Sequence, residues 1–270
     1  MRESLPSQNN KEPKSRKKIE LSSADKEAVA ELEQPIKEIL AQLSHEINCG
    51  DYGVIIGDDA SGRIPTLMIA RIIKAVYENK NFSPPIVRFI AGSSSLNANY
   101  VEQKENKKEA VVGQMGRIKS DLRDVADGGH RGLIVTDTID LGSSVTVLIE
   151  ALQKNDMEAD VATIGMIDSE GKERFADDWK ANVAIGTHGT PSLYFSENKR
   201  SLSGVWKINK NLFAKPNAKL PENYAKLSPN RQQHSVKYIK RSQALTNKAR
   251  EFAFEIADRI AEEYIKNPED

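Results

Sequence analysis

The sequence predicts an α/β protein, with a central, mostly parallel sheet of about five strands and helices on both faces. Three observations carry the prediction. Short runs rich in Val and Ile recur through the middle of the chain. Most lead through a glycine-containing turn into an amphipathic segment, the alternation that builds a parallel sheet covered on both sides. Polar sequence flanks this region at each end. The 270 residues are only 39% hydrophobic with a mean hydropathy of −0.54, as expected if part of the length is tail or loop.

Taken in order, residues 1–22 are charged, poor in apolar residues and contain two prolines, which predicts a disordered tail. Ser22, Ser23, Ala24 and Asp25 form a cap sequence, and Ala28, Leu32, Ile36, Ile39, Leu40 and Leu43 recur at helical spacing to about His45. Gly53 to Gly57 reads as the first strand and Pro65 to about Tyr77 as a helix. Pro85 to Ala91 is the second strand. Gly92 to Arg131 has no strong strand signal, and suits a long insertion containing a short helix from Gly116 to about Val125. Gly132 to Thr136 is the third strand, followed by a helix from about Ser144 to Gln153. Asp160 to Ile167 is the fourth and Val183 to Gly186 the fifth. Residues 205–233, rich in Lys, Asn and Pro, read as irregular, and a helical pattern returns from about Val236 to Tyr264. The expected domains are a tail at 1–22, an α/β domain at 23–204 and a basic, partly helical extension at 205–270.

Lys plus Arg and Asp plus Glu are each 39, so the formal net charge is zero. That zero hides a net +4 over residues 1–19, −9 over 20–204, +10 over 205–250 and −5 over 251–270. An acidic body with one basic arm points either to an anionic partner or to an internal counter-surface. No run approaches the ~20 apolar residues of a membrane span. The opening residues lack the apolar core of a secretory signal. A single cysteine, Cys49, excludes an internal disulfide and suits a reducing compartment. The expected location is cytoplasmic.

Parallel sheets place ligands at the carboxyl ends of their strands. Two strand ends carry suitable chemistry. After the third strand come Thr136-Asp137-Thr138-Ile139-Asp140-Leu141-Gly142-Ser143-Ser144-Val145 and then a helix. A small-residue turn at a helix N-terminus aims backbone N–H groups and the positive end of the helix dipole at one point, which is a phosphate cradle. Ser143 and Ser144 can add hydroxyls, as can Thr146 if it faces the turn. Asp137 and Asp140 could accept hydrogen bonds from sugar hydroxyls, take a proton or hold Mg²⁺ through water. The plainer reading is a strand-turn-helix link in which Asp140 and Ser143 are caps. After the first strand come Gly57-Asp58-Asp59-Ala60-Ser61-Gly62-Arg63, where Ser61, Gly62 and Arg63 could meet an anion beside Asp58 or Asp59. No Gly-Lys-Ser/Thr follows, so this is not a P-loop.

In their order, these residues resemble the phosphoribosyl-pyrophosphate (PRPP) motif of the type I phosphoribosyltransferases. That family follows an apolar strand with two acids, three variable residues, Thr-Gly, one variable residue and Thr or Ser. Here Thr136 takes the first acid position, Asp137 the second, Leu141-Gly142 the Thr-Gly pair and Ser144 the final hydroxyl. Asp140 falls where many purine enzymes of the family carry an aspartate facing the base. Residues 57–63 resemble the family's pyrophosphate loop, and Ile167 to Gly171 resembles an acidic turn of its orotate members without the arginine.

The resemblance covers about residues 25–190. It implies a type I phosphoribosyltransferase-like fold and transfer of ribose 5-phosphate from PRPP to a nitrogenous base or related acceptor, with release of pyrophosphate. Asp140 and Asp137 are then the catalytic candidates. Thr136, Asp137, Thr138, Asp140, Leu141, Gly142, Ser143 and Ser144 hold PRPP, and Asp58, Asp59, Ala60, Ser61, Gly62 and Arg63 hold pyrophosphate. Mg²⁺ is the implied cofactor, with Asp58, Asp59 and Asp137 as its candidates. Residues 93–115 are the natural lid, the basic extension a candidate hood over the base, and a homodimer the implied assembly.

Thr136 and Leu141 replace an acid and a phosphate-facing threonine. They leave open a second reading, a non-catalytic sensor or regulator that binds PRPP or another phosphorylated nucleotide-like molecule. The basic segment from Lys207 to Arg250, interleaved with Trp206, Phe213, Tyr224 and Tyr238, also permits nucleic-acid contact, ranked below the hood. His45, His130, His188 and His234 have no zinc spacing; His188 lies at a strand end near the expected site.

Overall fold

The computed structural model describes residues 20–58, 62–90, 111, 113–116, 118–168, 171–191, 193, 207–209, 212–213 and 229–267, with 207–243 described by backbone alone. Residues 1–19 of the expected tail, most of the proposed lid (93–110 and 112), Asp59, Ala60, Ser61, Trp206 and the side chains of most of the basic segment lie outside the described residues.

The N-terminal helical pattern forms three helices where the sequence predicts one: α1 (Ser23–Ala30), α2 (Glu33–Gln42) and α3 (Ser44–Cys49). The break has a simple cause. Pro35 cannot donate to the carbonyl of residue 31, and its ring would clash there, so it is accommodated only in the first turn of a new helix. The Ser22 cap forms as the sequence predicts: Ser22 Oγ accepts from the Asp25 N–H at 3.1 Å while the Asp25 carboxylate accepts from the Ser22 N–H at 3.0 Å.

The remaining elements alternate. They are β1 (Tyr52–Asp58), α4 (Arg63–Lys80), β2 (Ile86–Ile90), α5 (Lys119–Asp127), β3 (Arg131–Ile139), α6 (Ser143–Gln153), β4 (Ala159–Met166), α7 (Gly171–Trp179) and β5 (Val183–His188). A short hairpin, β6 (Lys207–Asn209) with β7 (Leu212–Phe213), precedes the C-terminal helix α8 (Pro229–Lys266). The main sheet has the order β2-β1-β3-β4-β5 with every pairing parallel. Helices cover both faces. One core packs Ile36, Ile39, Met68, Ile72 and the Ala253, Ile256 and Ile260 side of α8 against β1, β3 and β4. The other packs Leu122, Leu148, Leu152, Phe175 and Trp179 on the opposite side. This is the expected α/β architecture, and it fits a type I phosphoribosyltransferase-like fold, although other doubly wound sheets share its strand order.

Two differences bear on the site. β3 runs to Ile139 rather than stopping at Thr136, because Thr136, Thr138 and Ile139 continue the ladder with Thr163, Gly165 and Met166 of β4. Helix α7 was not expected, since its sequence is mostly charged and presents Phe175 and Trp179 as its large buried side chains.

At the opposite, amino end of the sheet, the fully buried Asp160 accepts from Tyr52 Oη at 2.9 Å, Arg131 Nη2 at 2.8 Å and the Asn182 N–H at 3.1 Å. This polar knot ties β1, β3, β4 and the start of β5 together and lies away from the carboxyl strand ends.

Candidate functional site

Where β1 and β3 end side by side, a cleft of about 430 Å³ opens. Its wall contains Asp58 and all eight residues predicted at Thr136, Asp137, Thr138, Asp140, Leu141, Gly142, Ser143 and Ser144. Ile139, Val145, Ile167 after β4 and Thr190 after β5 also line it, and none of these is among the predicted site residues.

The turn is shaped by Gly142. This residue takes φ +70° as the N-cap of α6 and provides no side-chain cap. The first helical bond runs from the Thr146 N–H to the Gly142 carbonyl at 2.9 Å. The N–H groups of Gly142, Ser143, Ser144 and Val145 therefore have no acceptor within the helix, and they stand at the positive end of its dipole. Thr146, offered by the sequence as a further donor, is committed elsewhere. Its hydroxyl donates to the Gly142 carbonyl at 3.0 Å and accepts from Trp179 Nε1 at 3.0 Å. The same arrangement recurs after β1, where Thr66 Oγ1 donates to the Gly62 carbonyl at 2.6 Å. Each strand end thus leads into a helix through Gly-x-x-x-Thr, a signal present in the sequence that its reading missed.

Gly62 is required by space. A Cβ there would lie 2.8 Å from the Asp58 carbonyl oxygen and 3.0 Å from that of Val135, so α4 starts hard against both strands. Gly62 and Arg63 are not among the residues that line the cleft. The Arg63 guanidinium instead stacks on Phe89 of β2, with its carbon 4.8 Å from the ring centre.

The acidic groups gather around Thr136. Its hydroxyl lies 3.4 Å from Asp58 Oδ2 and 3.5 Å from Asp137 Oδ1, both long for hydrogen bonds. Thr136 and Asp58 are buried while Asp140 is exposed. The Thr138 hydroxyl is shielded from solvent and has no partner among the described residues. Leu141 is 78% exposed and Ile167 55% exposed, and these two large apolar side chains flank the same opening.

His188 ends β5 on a separate polar groove lined by Gln34, Gln42, Lys172 and Arg174, away from this cleft. No group of three or more metal-ligating side chains is found among the described residues. Among those residues, too, no helix is long and apolar enough to cross a membrane. Compared with family models, curated proteins and solved structures, the chain matches none of them.

Proposed function

We propose that the cleft binds PRPP, with its 5-phosphate on the N–H groups of the Gly142 turn, and that the protein transfers ribose 5-phosphate to a nitrogenous base. The observation that carries this reading is the uncapped start of α6 opening into the same cleft as Asp137 and Asp140. A sugar phosphate needs both parts: donors for the phosphate, and acceptors a few ångströms away for the ribose hydroxyls. Asp137, next to the strand end, suits the ribose. Asp140, exposed at the rim, suits proton exchange with the acceptor nitrogen. Leu141 and Ile167 offer apolar surface for the flat face of a heterocycle.

Asp58 and Asp137 are two carboxylates close to one hydroxyl, a donor set in keeping with Mg²⁺ held by one or two carboxylates, water and substrate phosphates. When bound, the ion would offset the charge of the leaving pyrophosphate. The chain's own residues orient the sugar, keep the phosphate in place and accept or return a proton at the carboxylate oxygens of Asp140.

A second reading, a sensor that binds PRPP or another nucleotide-like phosphate without turnover, is favoured by the exposed Leu141. It contributes only its backbone N–H where the family's threonine adds a hydroxyl.

Isothermal titration of PRPP with Mg²⁺, alongside a pyrophosphate-release assay over a panel of bases, tests both. Asp137→Asn is expected to weaken PRPP binding by about 10-fold or more, the scale of one charge-assisted hydrogen bond. Absence of PRPP binding to the unmodified protein refutes the first reading, and binding without release across the panel selects the sensor.

A further inference from the structure

Helix α8 lies along α4 in parallel, at a constant separation in sequence. Arg71 forms a two-pronged pair with Asp258, 187 residues on, with Nη2 to Oδ2 at 2.9 Å. Tyr77 and Tyr264, which pack in the same hydrophobic cluster, keep the same interval of 187. Moving about 12 Å back along both helices from the Arg71–Asp258 pair brings Arg63 beside Arg250, again at an interval of 187. The two arginines therefore stand level with one another at the first turn of α4, near enough for the charge of Arg63 to act on Arg250.

Both have nitrogens short of hydrogen-bond partners, although the Arg63 guanidinium also lies over the Phe89 ring. Arg63 Nε and Arg250 Nε and Nη2 are shielded from solvent, and none has a hydrogen-bond partner among the described residues. Neither side chain has a carboxylate partner among those residues. Burial, with the like charge of Arg63 added, holds the Arg250 pKa below its ordinary value. The N-terminus of α4 beneath them has Gly62 as N-cap and no side-chain cap. Shielded, like-charged donors beside a positive helix end are costly without an acceptor.

We propose that Arg63 and Arg250 together bind a phosphoryl or pyrophosphoryl oxyanion, which fastens the C-terminal helix to the first turn of α4. Two planar forks can each hold two oxygens of one tetrahedral group. An anion of about two negative charges is needed to balance them, which a phosphate ester provides and a single carboxylate does not. The C-terminal extension then contributes to the site through Arg250, a position the basic composition of residues 205–250 could not distinguish from its neighbours. For Arg63 the proposal takes up the pyrophosphate role that the sequence resemblance implies; Arg250 is independent of it.

The test uses the full chain and inorganic pyrophosphate, followed separately by PRPP, in titration and thermal melts. Arg250→Met is expected to weaken pyrophosphate binding at least ~10-fold and to abolish the rise in melting temperature that pyrophosphate gives the unmodified protein. Arg250→Lys, which keeps the charge but not the fork, should recover part of the affinity. Equal pyrophosphate binding by Arg250→Met and the unmodified protein overturns the proposal, as does failure of the unmodified protein to bind it at millimolar concentration. If PRPP does not bind but pyrophosphate binding depends on Arg250, the reading of residues 136–144 fails and the arginine site stands.

Discussion

Replacing Gly142 with alanine tests whether the phosphate-facing turn is held from behind by α7. At φ +70° an alanine pays about 1–2 kcal/mol for the left-handed conformation. Its Cβ would also sit 2.6 Å from Phe175 Cε1 and 2.9 Å from Trp179 Cζ2. Those rings cannot easily yield. They stack with centroids 4.6 Å apart at 16°, both are buried, and Trp179 is tethered to Thr146 at 3.0 Å. Overpacking of this kind costs roughly 1–3 kcal/mol. The reduced freedom of the unfolded chain returns about 0.4–1 kcal/mol, leaving a net loss of roughly 2–4 kcal/mol.

Gly129 provides the control. It has φ +74°, and a Cβ added there would meet nothing within 4 Å, so Gly129→Ala carries the backbone cost alone, about 1 kcal/mol. Urea unfolding followed by far-UV circular dichroism measures both. Phe175→Leu removes the nearest ring edge and leaves the Trp179 contact, so Gly142→Ala should cost less in that background, with a coupling of roughly 1–2 kcal/mol. The reasoning fails if Gly142→Ala is no more destabilising than Gly129→Ala, or if the Phe175 substitution leaves its cost unchanged.

Two further predictions concern the scaffold. Gln42 of α2 covers the edge strand β5, donating to the Ile185 carbonyl at 2.8 Å and accepting its N–H at 3.3 Å; Gln42→Leu should cost about 1 kcal/mol in urea unfolding and bring concentration-dependent association, seen by analytical ultracentrifugation, as the edge is bared. Burial raises the pKa of Asp160 above its ordinary value against the opposing pull of Arg131 and Tyr52, so its stabilising contribution is full below the unfolded pKa and declines as pH rises through the folded one. The stability gap between the unmodified protein and Asp160→Asn, measured by urea unfolding between pH 4 and 7 (roughly the carboxylate range), should therefore narrow with rising pH; a gap that widens contradicts the assignment.

The strands were legible because their Val and Ile runs are short, bounded by turns and separated by helical segments. The turn at 140–144 was legible for a similar reason, since a glycine between a strand and a helix with hydroxyl residues after it has few other uses. What failed was whatever depended on a neighbour in space. Thr138 and Ile139 read as loop, yet pairing with β4 makes them strand. Thr146 reads as a free hydroxyl, yet Trp179 claims it. Helix α7 is so charged that Phe175 and Trp179, one turn apart, were its only apolar signal of that size, and spacing alone did not reveal that they back the Gly142 turn. Ile167 and Thr190 follow two different strands, and only the sheet order brings them to the cleft.

The threonine at 136 illustrates the same point in terms of charge. Compared with an acid-acid motif, it removes a carboxylate from β3. In space, Asp58 of the neighbouring strand brings one back, with its Oδ2 3.4 Å from the Thr136 hydroxyl and Asp137 Oδ1 3.5 Å on the other side. An acid at 136 would put a third carboxylate beside a buried Asp58, and like charges at that spacing push a proton onto one of them. Threonine keeps the spacing, and its one proton can serve either neighbour. The local number of carboxylates is thus two, one from each strand. Asp58 and Thr136 are best understood as a single choice divided between β1 and β3, so the departure at 136 redistributes the charge of the cleft without reducing it.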